Sequence, residues 1–197
     1  MWSFMANIPP YELVTPRLRL RAGEATDAAS LFENYTSRKE ASKYLQRKPH
    51  ASVKDTQSML EAWGQKSWNI DGRFAWVISE DKNGEAIGLV LLTTNGSKAE
   101  IHFGIAPLLW GRGLATEAVQ AVMGWIAASS EINEVATVCD HEHAASMKVL
   151  SKSGFTRQDL IPDQLFLPSF GTNRNCWHFV WQRKIEKAAF ISRVNNA

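Results

Sequence analysis

The chain has 197 residues, of which 45% are apolar and 21% are charged, a composition typical of one globular domain that excludes global disorder. Its net charge is only +2 and no long run of like charge occurs, which argues against a dedicated nucleic-acid-binding protein. Two cysteines, Cys139 and Cys176, are too few for a disulfide framework and favour a reducing compartment.

The same features predict a cytoplasmic protein with one domain. No apolar stretch reaches the roughly 18 residues that a membrane span needs, and residues 1–10 lack the basic and apolar regions of a secretory signal. We therefore expect residues 1–10 to be an N-terminal extension, residues 11–184 to form the domain, and residues 185–197 to be a C-terminal tail.

The first part of the chain predicts one strand and two helices. Leu18–Arg21 alternates apolar and basic residues, as a half-buried strand does. Apolar residues between Ala28 and Tyr35 recur at helical spacing, which predicts an amphipathic helix. A second helix is expected to begin at Ser52, because Ser52 and Asp55 form a capping-box pattern ahead of further apolar residues.

The middle of the chain predicts an antiparallel meander of three strands. These strands are Phe74–Ser79, Ala86–Thr94 and Ala99–Ala106. Asn-Gly pairs at 83–84 and 95–96 are strong signals for the two hairpin turns between them.

The last part of the chain predicts alternating helices and strands. In chain order they are a long helix, a strand, a shorter helix closed by a glycine, and a last strand, at Leu114–Ser129, Glu134–Cys139, Ala144–Ser153 and Cys176–Gln182. A helix flanked by strands forms a crossover, which places a parallel pair inside an otherwise antiparallel sheet. The predicted fold class is therefore α+β with a mixed, mostly antiparallel sheet.

The most informative stretch is the loop at residues 107–117, Pro-Leu-Leu-Trp-Gly-Arg-Gly-Leu-Ala-Thr-Glu, between a strand and the long helix. Gly111 and Gly113 let the backbone approach a ligand, and the first amides of the helix lack intrahelical partners. These amides and the helix dipole form an anion site suited to a pyrophosphate. The spacing is neither that of a P-loop nor that of the three-glycine dinucleotide motif, and a tight turn with a helix cap is the plainer alternative.

In the order of its elements and in several separate motifs, the chain resembles the GNAT superfamily of acetyl-CoA-dependent N-acetyltransferases, and within it the RimJ/RimL-like subfamily, which acetylates the N-termini of ribosomal proteins. The matching motifs are Thr-Pro-Arg-Leu-Arg-Leu-Arg at 15–21, Ala-Glu-Ile at 99–101, Trp-Gly-Arg-Gly-Leu-Ala-Thr-Glu-Ala at 110–118, and Ala-Ser-Met-Lys-Val-Leu at 145–150. The resemblance covers roughly residues 13–183. It implies a three-layer α/β/α GNAT fold with helices on both faces of the sheet, and makes residues 11–184 the N-acetyltransferase domain.

The resemblance implies acetyl-CoA as the cosubstrate and no metal. The residues it places at the pyrophosphate are Trp110, Gly111, Arg112, Gly113, Leu114, Ala115 and Thr116. It also implies that the backbone of Ile105 pairs with the pantetheine arm. His143 stands where the family's Asn-x-x-Ser motif has its asparagine, and it is the cofactor-facing residue expected there.

Two catalytic residues are implied by the same resemblance. Glu100 lies on the strand beside the cofactor and would take a proton from the amine, directly or through one water. Ser146 would donate a hydrogen bond to the leaving thiolate. The tyrosine that often acts as general acid on this helix has no counterpart at residues 150–152. The plainer alternatives are a solvated or ion-paired strand carboxylate for Glu100 and a local helix cap for Ser146.

The expected function is transfer of an acetyl group from acetyl-CoA to a primary amine, at the N-terminus of a protein or peptide, by direct attack with general-base help. Two alternatives stay open: acetylation of a small-molecule amine or antibiotic, and a catalytically silent module that binds acyl-CoA. The expected partners are acetyl-CoA and the amine acceptor, without nucleic acid or membrane, and a homodimer is left open.

Two other clusters suggest different chemistry. The segment Asp-His-Glu-His at 140–143 resembles a metal site, but its histidine spacing is one residue short of the zinc-protease signature, so we interpret it as a polar helix entry. Cys139 and Cys176 lie in apolar strand patterns, so we expect buried, unreactive thiols.

Overall fold

One mixed sheet of eight strands organises the protein, and the computed structural model describes residues 8–80 and 84–184. The strands in chain order are β1 (Glu12–Val14), β2 (Arg19–Ala22), β3 (Arg73–Ser79), β4 (Gly88–Asn95), β5 (Lys98–Ile105), β6 (Glu134–Asp140), β7 (Thr156–Leu167) and β8 (Thr172–Gln182). Across the sheet they follow the chain order up to β6, after which β8 precedes β7. All neighbouring pairs are antiparallel except β5 and β6, which confirms the predicted crossover.

Five α-helices connect these strands within the described ranges. They are α1 (Ala28–Leu31), α2 (Lys39–Ser42), α3 (Val53–Trp63), α4 (Leu114–Ser129) and α5 (Ala144–Lys152). The helix predicted over residues 28–35 begins as α1 and continues as one π-helical turn over Phe32–Thr36, because Ser37 reaches back to the carbonyl of Phe32 through both its amide and its hydroxyl. The predicted capping box of Ser52 and Asp55 starts α3.

Helices cover both faces of the sheet, which confirms the three-layer α/β/α arrangement. On one face, Val119, Val122 and Ile126 of α4 join the same buried cluster as Trp76 and Ile101 of the sheet. Leu150 of α5 belongs to that cluster too. On the other face, a second buried cluster joins helical and sheet residues, Leu31, Tyr35, Leu60, Val77 and Leu89.

The sheet opens between β5 and β6. The two strands pair only at their beginnings, where Lys98, Ala99 and Glu100 face Glu134, Val135 and Ala136. Beyond these pairs, residues 101–105 of β5 and 137–140 of β6, all of them described, do not pair with each other across the gap. Because the strands are parallel, their diverging ends lead into the N-termini of α4 and α5, so a V-shaped cleft opens toward two helix N-termini.

Two strands escaped the prediction from sequence. β7 is an edge strand with mostly exposed residues, an interior Pro162 and register shifts against β8, so neither alternation nor an apolar run marks it. β1 has only three residues. The turn predicted at Asn95-Gly96 joins β4 to β5, whereas Asn83 of the other predicted turn lies outside the described residues, as do residues 1–7 and 185–197.

Residues next to the start of the described chain are attached to the core. The indole of Trp68 donates to the carbonyl of Pro9 at 3.2 Å, and that of Trp76 donates to the carbonyl of Pro10 at 3.1 Å. Over residues 8–80 and 84–184, the protein has no helix with the length and apolar character required to cross a membrane.

Candidate functional site

Glu100 lies at the vertex of the cleft, since it is the last β5 residue that pairs with β6. Its half-exposed carboxylate accepts a hydrogen bond from His102, with 2.9 Å between Oε1 and Nε2. This bond lowers the pKa of Glu100 more than partial burial raises it. Glu100 is therefore an ionised proton acceptor at neutral pH, and the imidazole of His102 adjoins it. The sequence interpretation missed His102, although two-residue spacing on a strand places both side chains on one face.

Gly111 and Gly113 give the loop before α4 its shape. Both have φ of +79°, in the left-handed region that favours glycine. A Cβ at Gly111 would meet no atom within 4 Å, and one at Gly113 would meet only the Arg17 guanidinium at 3.7 Å, so the loop has an open outer surface. Within the described part of the chain, no backbone N–H of residues 111–116 donates to another residue. The loop therefore presents a row of free amide donors at the start of α4.

The side chains of this loop have separate roles. Leu114 is buried, so only its backbone is available to a ligand, and Ala115 packs partly against the core. Trp110 is half exposed, and its indole N–H donates to the carbonyl of Ile105 at 2.9 Å. The loop is thereby tied to the end of β5, where the resemblance expects a backbone pairing with pantetheine. The Ile105 oxygen keeps a second lone pair for a ligand.

A hydrogen-bonded clamp holds the first turn of α4. Arg17 donates from Nε to Glu117 Oε2 at 2.6 Å, and from Nη1 to the carbonyl of Arg112 at 2.9 Å. Thr15 donates from its hydroxyl to Glu117 Oε1 at 2.6 Å. Burial acts to raise the pKa of Glu117, but these hydrogen bonds outweigh it and hold the pKa below its ordinary value. The Arg17 guanidinium thus compensates a carboxylate that would otherwise repel an anion at this helix N-terminus.

Arg112 anchors the other side of the loop. Its guanidinium pairs with Glu80, which directly follows β3, through contacts of 2.6 and 3.2 Å. Together with the Arg17 clamp, this pair holds the loop at two points while its amides face outward. Thr116 belongs to the first turn of α4, where it contributes its amide.

The start of α5 forms the opposite wall of the cleft. His143 precedes this helix, and its ring stacks on Tyr44 with centroids 4.3 Å apart. Burial lowers the pKa of His143 to about 4, so the ring is neutral near pH 7. Ser146 lies in the first turn of α5, and hydrogen bonding from it acts to lower the pKa of the Cys139 thiol on β6, although burial outweighs this effect. Ser146 and His143 therefore lie on the β6 side of the cleft, whereas Glu100 and the glycine loop lie on the β5 side.

The segment at 140–143 makes ion pairs of its own. Asp140 is buried and accepts from Arg174 Nε at 2.9 Å and from the amide of Glu142 at 2.9 Å. Glu142 accepts from Arg174 Nη2 at 2.6 Å. Over the described residues, no group of three or more histidine, cysteine, aspartate or glutamate side chains could hold a metal ion.

Both cysteines are buried, as the sequence predicts. Burial raises the pKa of Cys139 and of Cys176 to about 11 in each case. Their thiols are therefore protonated near neutral pH, and a protonated thiol is a poor nucleophile.

Comparison with known proteins shows which family has a domain of this kind. A family model described as the acetyltransferase (GNAT) domain matches residues 17–156. The chain is also similar to the uncharacterized N-acetyltransferase p20 of Bacillus licheniformis, with 29% identity over 155 residues that span 77% of this chain and 85% of the relative.

Two solved structures share the fold. One is RimL, a ribosomal L7/L12 α-N-protein acetyltransferase in complex with coenzyme A, with a TM-score of 0.76 and 18% identity over 89% of this chain and 97% of that one. The other is the microcin C7 self-immunity acetyltransferase MccE in complex with acetyl-CoA and AMP, with a TM-score of 0.77 and 16% identity over 89% and 98% of the two chains.

Proposed function

The chain belongs to the acetyltransferase (GNAT) domain family and is an acetyl-CoA-dependent N-acetyltransferase, and we propose that its acceptor is the amino group at the N-terminus of a peptide or protein. The cleft between β5 and β6 supports acetyl transfer, and the likeness in fold to the ribosomal-protein acetyltransferase RimL is the observation that favours a peptide acceptor. The cleft brings a row of free amides and a half-exposed carboxylate to a strand edge whose residues 101–105 do not pair with β6.

Acetyl-CoA fits the β5 side of this cleft. Its pyrophosphate would accept hydrogen bonds from the free amides of residues 111–116, and the two left-handed glycines keep side chains out of that contact. The pantetheine arm carries amide groups that can pair with the edge of β5 as an added strand does. This arrangement uses the predicted loop residues and Ile105 in the roles that the resemblance implies.

Glu100 is the proposed general base. An amine attacks a thioester carbonyl only when it carries a free electron pair, and most amines are protonated at neutral pH. Glu100 is ionised and accessible at the vertex of the cleft, so it can take the proton directly or through one water. His102 holds the carboxylate in place by donating a hydrogen bond to it.

Ser146 is proposed to assist the departing thiolate from the β6 side. A thiol has an ordinary pKa near 8.5, so the thiolate leaves readily and one hydroxyl donor is sufficient help. Ser146 on α5 adjoins Cys139 on β6, whose thiol is buried and protonated. The acetyl group therefore passes straight from sulfur to nitrogen, because a covalent route needs an activated nucleophile with a base in reach.

The test is release of coenzyme A, followed with a thiol reagent, from acetyl-CoA mixed with N-terminal peptides or with small amines. We expect turnover with peptides, an acetylated N-terminus by mass spectrometry, and intersecting lines when both substrate concentrations are varied. Protein incubated with acetyl-CoA alone should gain no acetyl mass at Cys139, Cys176 or Ser146.

Other outcomes would replace the proposal. Turnover with small amines alone would assign a small-molecule acceptor. Binding of acetyl-CoA without turnover across the whole panel would assign a sensing module. Parallel lines with a stoichiometric acetyl adduct would establish a covalent mechanism.

A further inference from the structure

The segment between α1 and α3 crosses the open end of the cleft. On the β5 side, the hydroxyl of Tyr35 packs so closely on Gly104 that it leaves no room for a Cβ there. On the β6 side, Tyr44 stacks on His143. A peptide whose amine reaches Glu100 from this face therefore passes beside the segment.

This crossing segment is strongly cationic. Between residues 38 and 48 it carries one carboxylate and five cations, Glu40 with Arg38, Lys39, Lys43, Arg47 and Lys48. The two arginines serve the local fold: Arg38 donates to the carbonyl of Glu33 at 2.6 Å, and Arg47 donates to that of Thr36 at 3.2 Å. Within residues 8–80 and 84–184, no carboxylate forms an ion pair with any of the three lysines.

These three lysines line one open groove of about 500 Å³, together with Glu40 and Pro49. The opposite wall is the turn between β7 and β8, where Pro168 and Ser169 lie, and the Ser169 hydroxyl donates to the carbonyl of Ser42 at 3.4 Å. The volume falls in the range of roughly 300–1,000 Å³ that is usual for ligand sites.

Lys43 connects this groove to the cleft. Its ammonium lies 4.9 Å from the ring centroid of Tyr44 and 5.7 Å from that of Phe170. Tyr44 also stacks on His143, so its ring lies between the Lys43 ammonium and the cleft wall that His143 forms. A chain that leaves the cleft over Tyr44 therefore meets Lys43 first.

We propose that this groove binds acidic residues that follow the N-terminal amine of a peptide acceptor. The inference rests on the proposed transfer to a peptide N-terminus and adds the acceptor's sequence preference. Three exposed ammonium groups around one groove repel each other, and aspartate or glutamate side chains of the acceptor replace that repulsion with attraction. Two prolines in the walls, Pro49 and Pro168, give the groove an apolar lining against which a peptide backbone can lie.

The experiment compares three peptides that begin with serine and carry glutamate, glutamine or lysine at the next three positions. At low salt we expect kcat/KM for the glutamate peptide to exceed that for the glutamine peptide by about tenfold, the size expected from three exposed ion pairs. The lysine peptide should be the poorest acceptor. Because exposed charges are screened by salt, the preference should shrink at ionic strengths near 1 M.

Variants assign the preference to the groove. Lys39→Gln combined with Lys43→Gln and Lys48→Gln should reduce the ratio between glutamate and glutamine peptides to about one. A double variant at Lys39 and Lys48 alone should reduce it partly and leaves the ring contacts of Lys43 intact. Lys66→Gln is the matched control, because Lys66 is exposed in the turn after α3 and does not line the groove, and it should keep the wild-type ratio.

A binding measurement separates this inference from the proposed function. The N-acetylated glutamate peptide cannot react, so its affinity reports the groove without chemistry. Equal kcat/KM for glutamate and glutamine peptides, or a preference that survives the triple substitution, would overturn the inference while acetyl transfer stands. Lysine-dependent binding of the acetylated peptide without coenzyme A release from any peptide would support the groove and overturn the proposed function.

Discussion

Glu100 and His102 form a hydrogen-bonded pair at the vertex of the cleft, and this bond determines how Glu100 can act as a base. The hydrogen bond from His102 keeps the carboxylate unprotonated to a lower pH than an isolated glutamate, so the pKa of Glu100 lies below its ordinary range. A base with a low pKa is always available at neutral pH but accepts a proton weakly. The hydrogen bond from His102 therefore holds the carboxylate in position without strengthening it as a base.

Replacing Glu100 with glutamine tests this role. Glu100→Gln keeps the shape but removes the proton acceptor, so we expect kcat to fall roughly 100-fold or more while acetyl-CoA affinity stays within about twofold. Because the pKa of Glu100 is lowered, the loss should be uniform between pH 6 and 8, where the wild-type carboxylate is ionised throughout. Stopped-flow rates and calorimetric titration with acetyl-CoA would measure the two quantities.

Glu61→Gln is the control for that substitution, because Glu61 is exposed on α3 and should be silent in both measurements. A Glu100→Gln enzyme with full turnover would remove Glu100 from the mechanism. It would assign proton removal to solvent or to His102 alone.

At the scale of an element, the glycine loop joins backbone shape to function. Gly113 has φ of +79°, and Gly96 in the turn between β4 and β5 has φ of +59°, where a Cβ would meet no atom within 4 Å. Alanine at either position forces a side chain into the left-handed region, at a cost of roughly 1–2 kcal/mol. The two substitutions therefore apply similar strain at two different places.

We expect Gly113→Ala and Gly96→Ala to lower the melting temperature by similar amounts, whereas only Gly113→Ala weakens acetyl-CoA binding, by about tenfold or more. The reason is that a shifted loop no longer aims the amides of residues 111–116 at one anion. Thermal unfolding and calorimetric titration of both variants provide the comparison. Equal acetyl-CoA affinity in the two proteins would place the pyrophosphate elsewhere.

Local signals predicted the elements around this site well. The predicted bounds of α4 are those observed. Its two signals, a glycine just before the helix and an apolar stripe along it, depend only on residues close together in the sequence. The capping box of α3 is predictable for the same reason. The strand order around the cleft followed from the crossover, and the family motifs located Glu100 and the glycine loop on its β5 side.

Long-range pairs were beyond such signals. Arg17 and Glu117 lie 100 positions apart, and nothing in either neighbourhood indicates that the two side chains meet. The stacking of Tyr44 on His143 likewise depends on how the crossing segment packs against the sheet. β7 was missed because an exposed edge strand needs no apolar pattern to pair on one side.

At the scale of the whole molecule, the Asp140 and Arg174 pair links β6 to β8 and makes stability depend on pH. Burial acts to raise the pKa of Asp140, but hydrogen bonds from Arg174 and from the amide of Glu142 outweigh it and lower the pKa below its ordinary value. A depressed carboxylate pKa stabilises the fold above the unfolded-state pKa, near 3.9, and that contribution disappears as pH falls through the folded-state pKa.

We expect Asp140→Asn to lower the free energy of unfolding at pH 7 by about 1–3 kcal/mol, since a buried hydrogen-bonded charge is lost. The difference from wild type should be constant between pH 6 and 8 and should shrink below about pH 4. Urea unfolding at several pH values measures this. Asp159→Asn, at an exposed position on β7, should leave stability unchanged, and a stable Asp140→Asn protein would show that the pair contributes little.

The gap between β5 and β6 makes the stability of the fold depend on a bound ligand. Within the described ranges, only three residue pairs of the sheet join strands β1–β5 to strands β6–β8, so the sheet is weakest at this junction. An extended ligand that lies along residues 101–105 supplies the strand hydrogen bonds that β5 does not make with β6 there. At 100 times its dissociation constant, such a ligand adds about 2.7 kcal/mol to the free energy of unfolding. When the ligand is scarce, the protein therefore unfolds more readily on heating and is cleaved faster by proteases. When the ligand is abundant, the bound protein resists both.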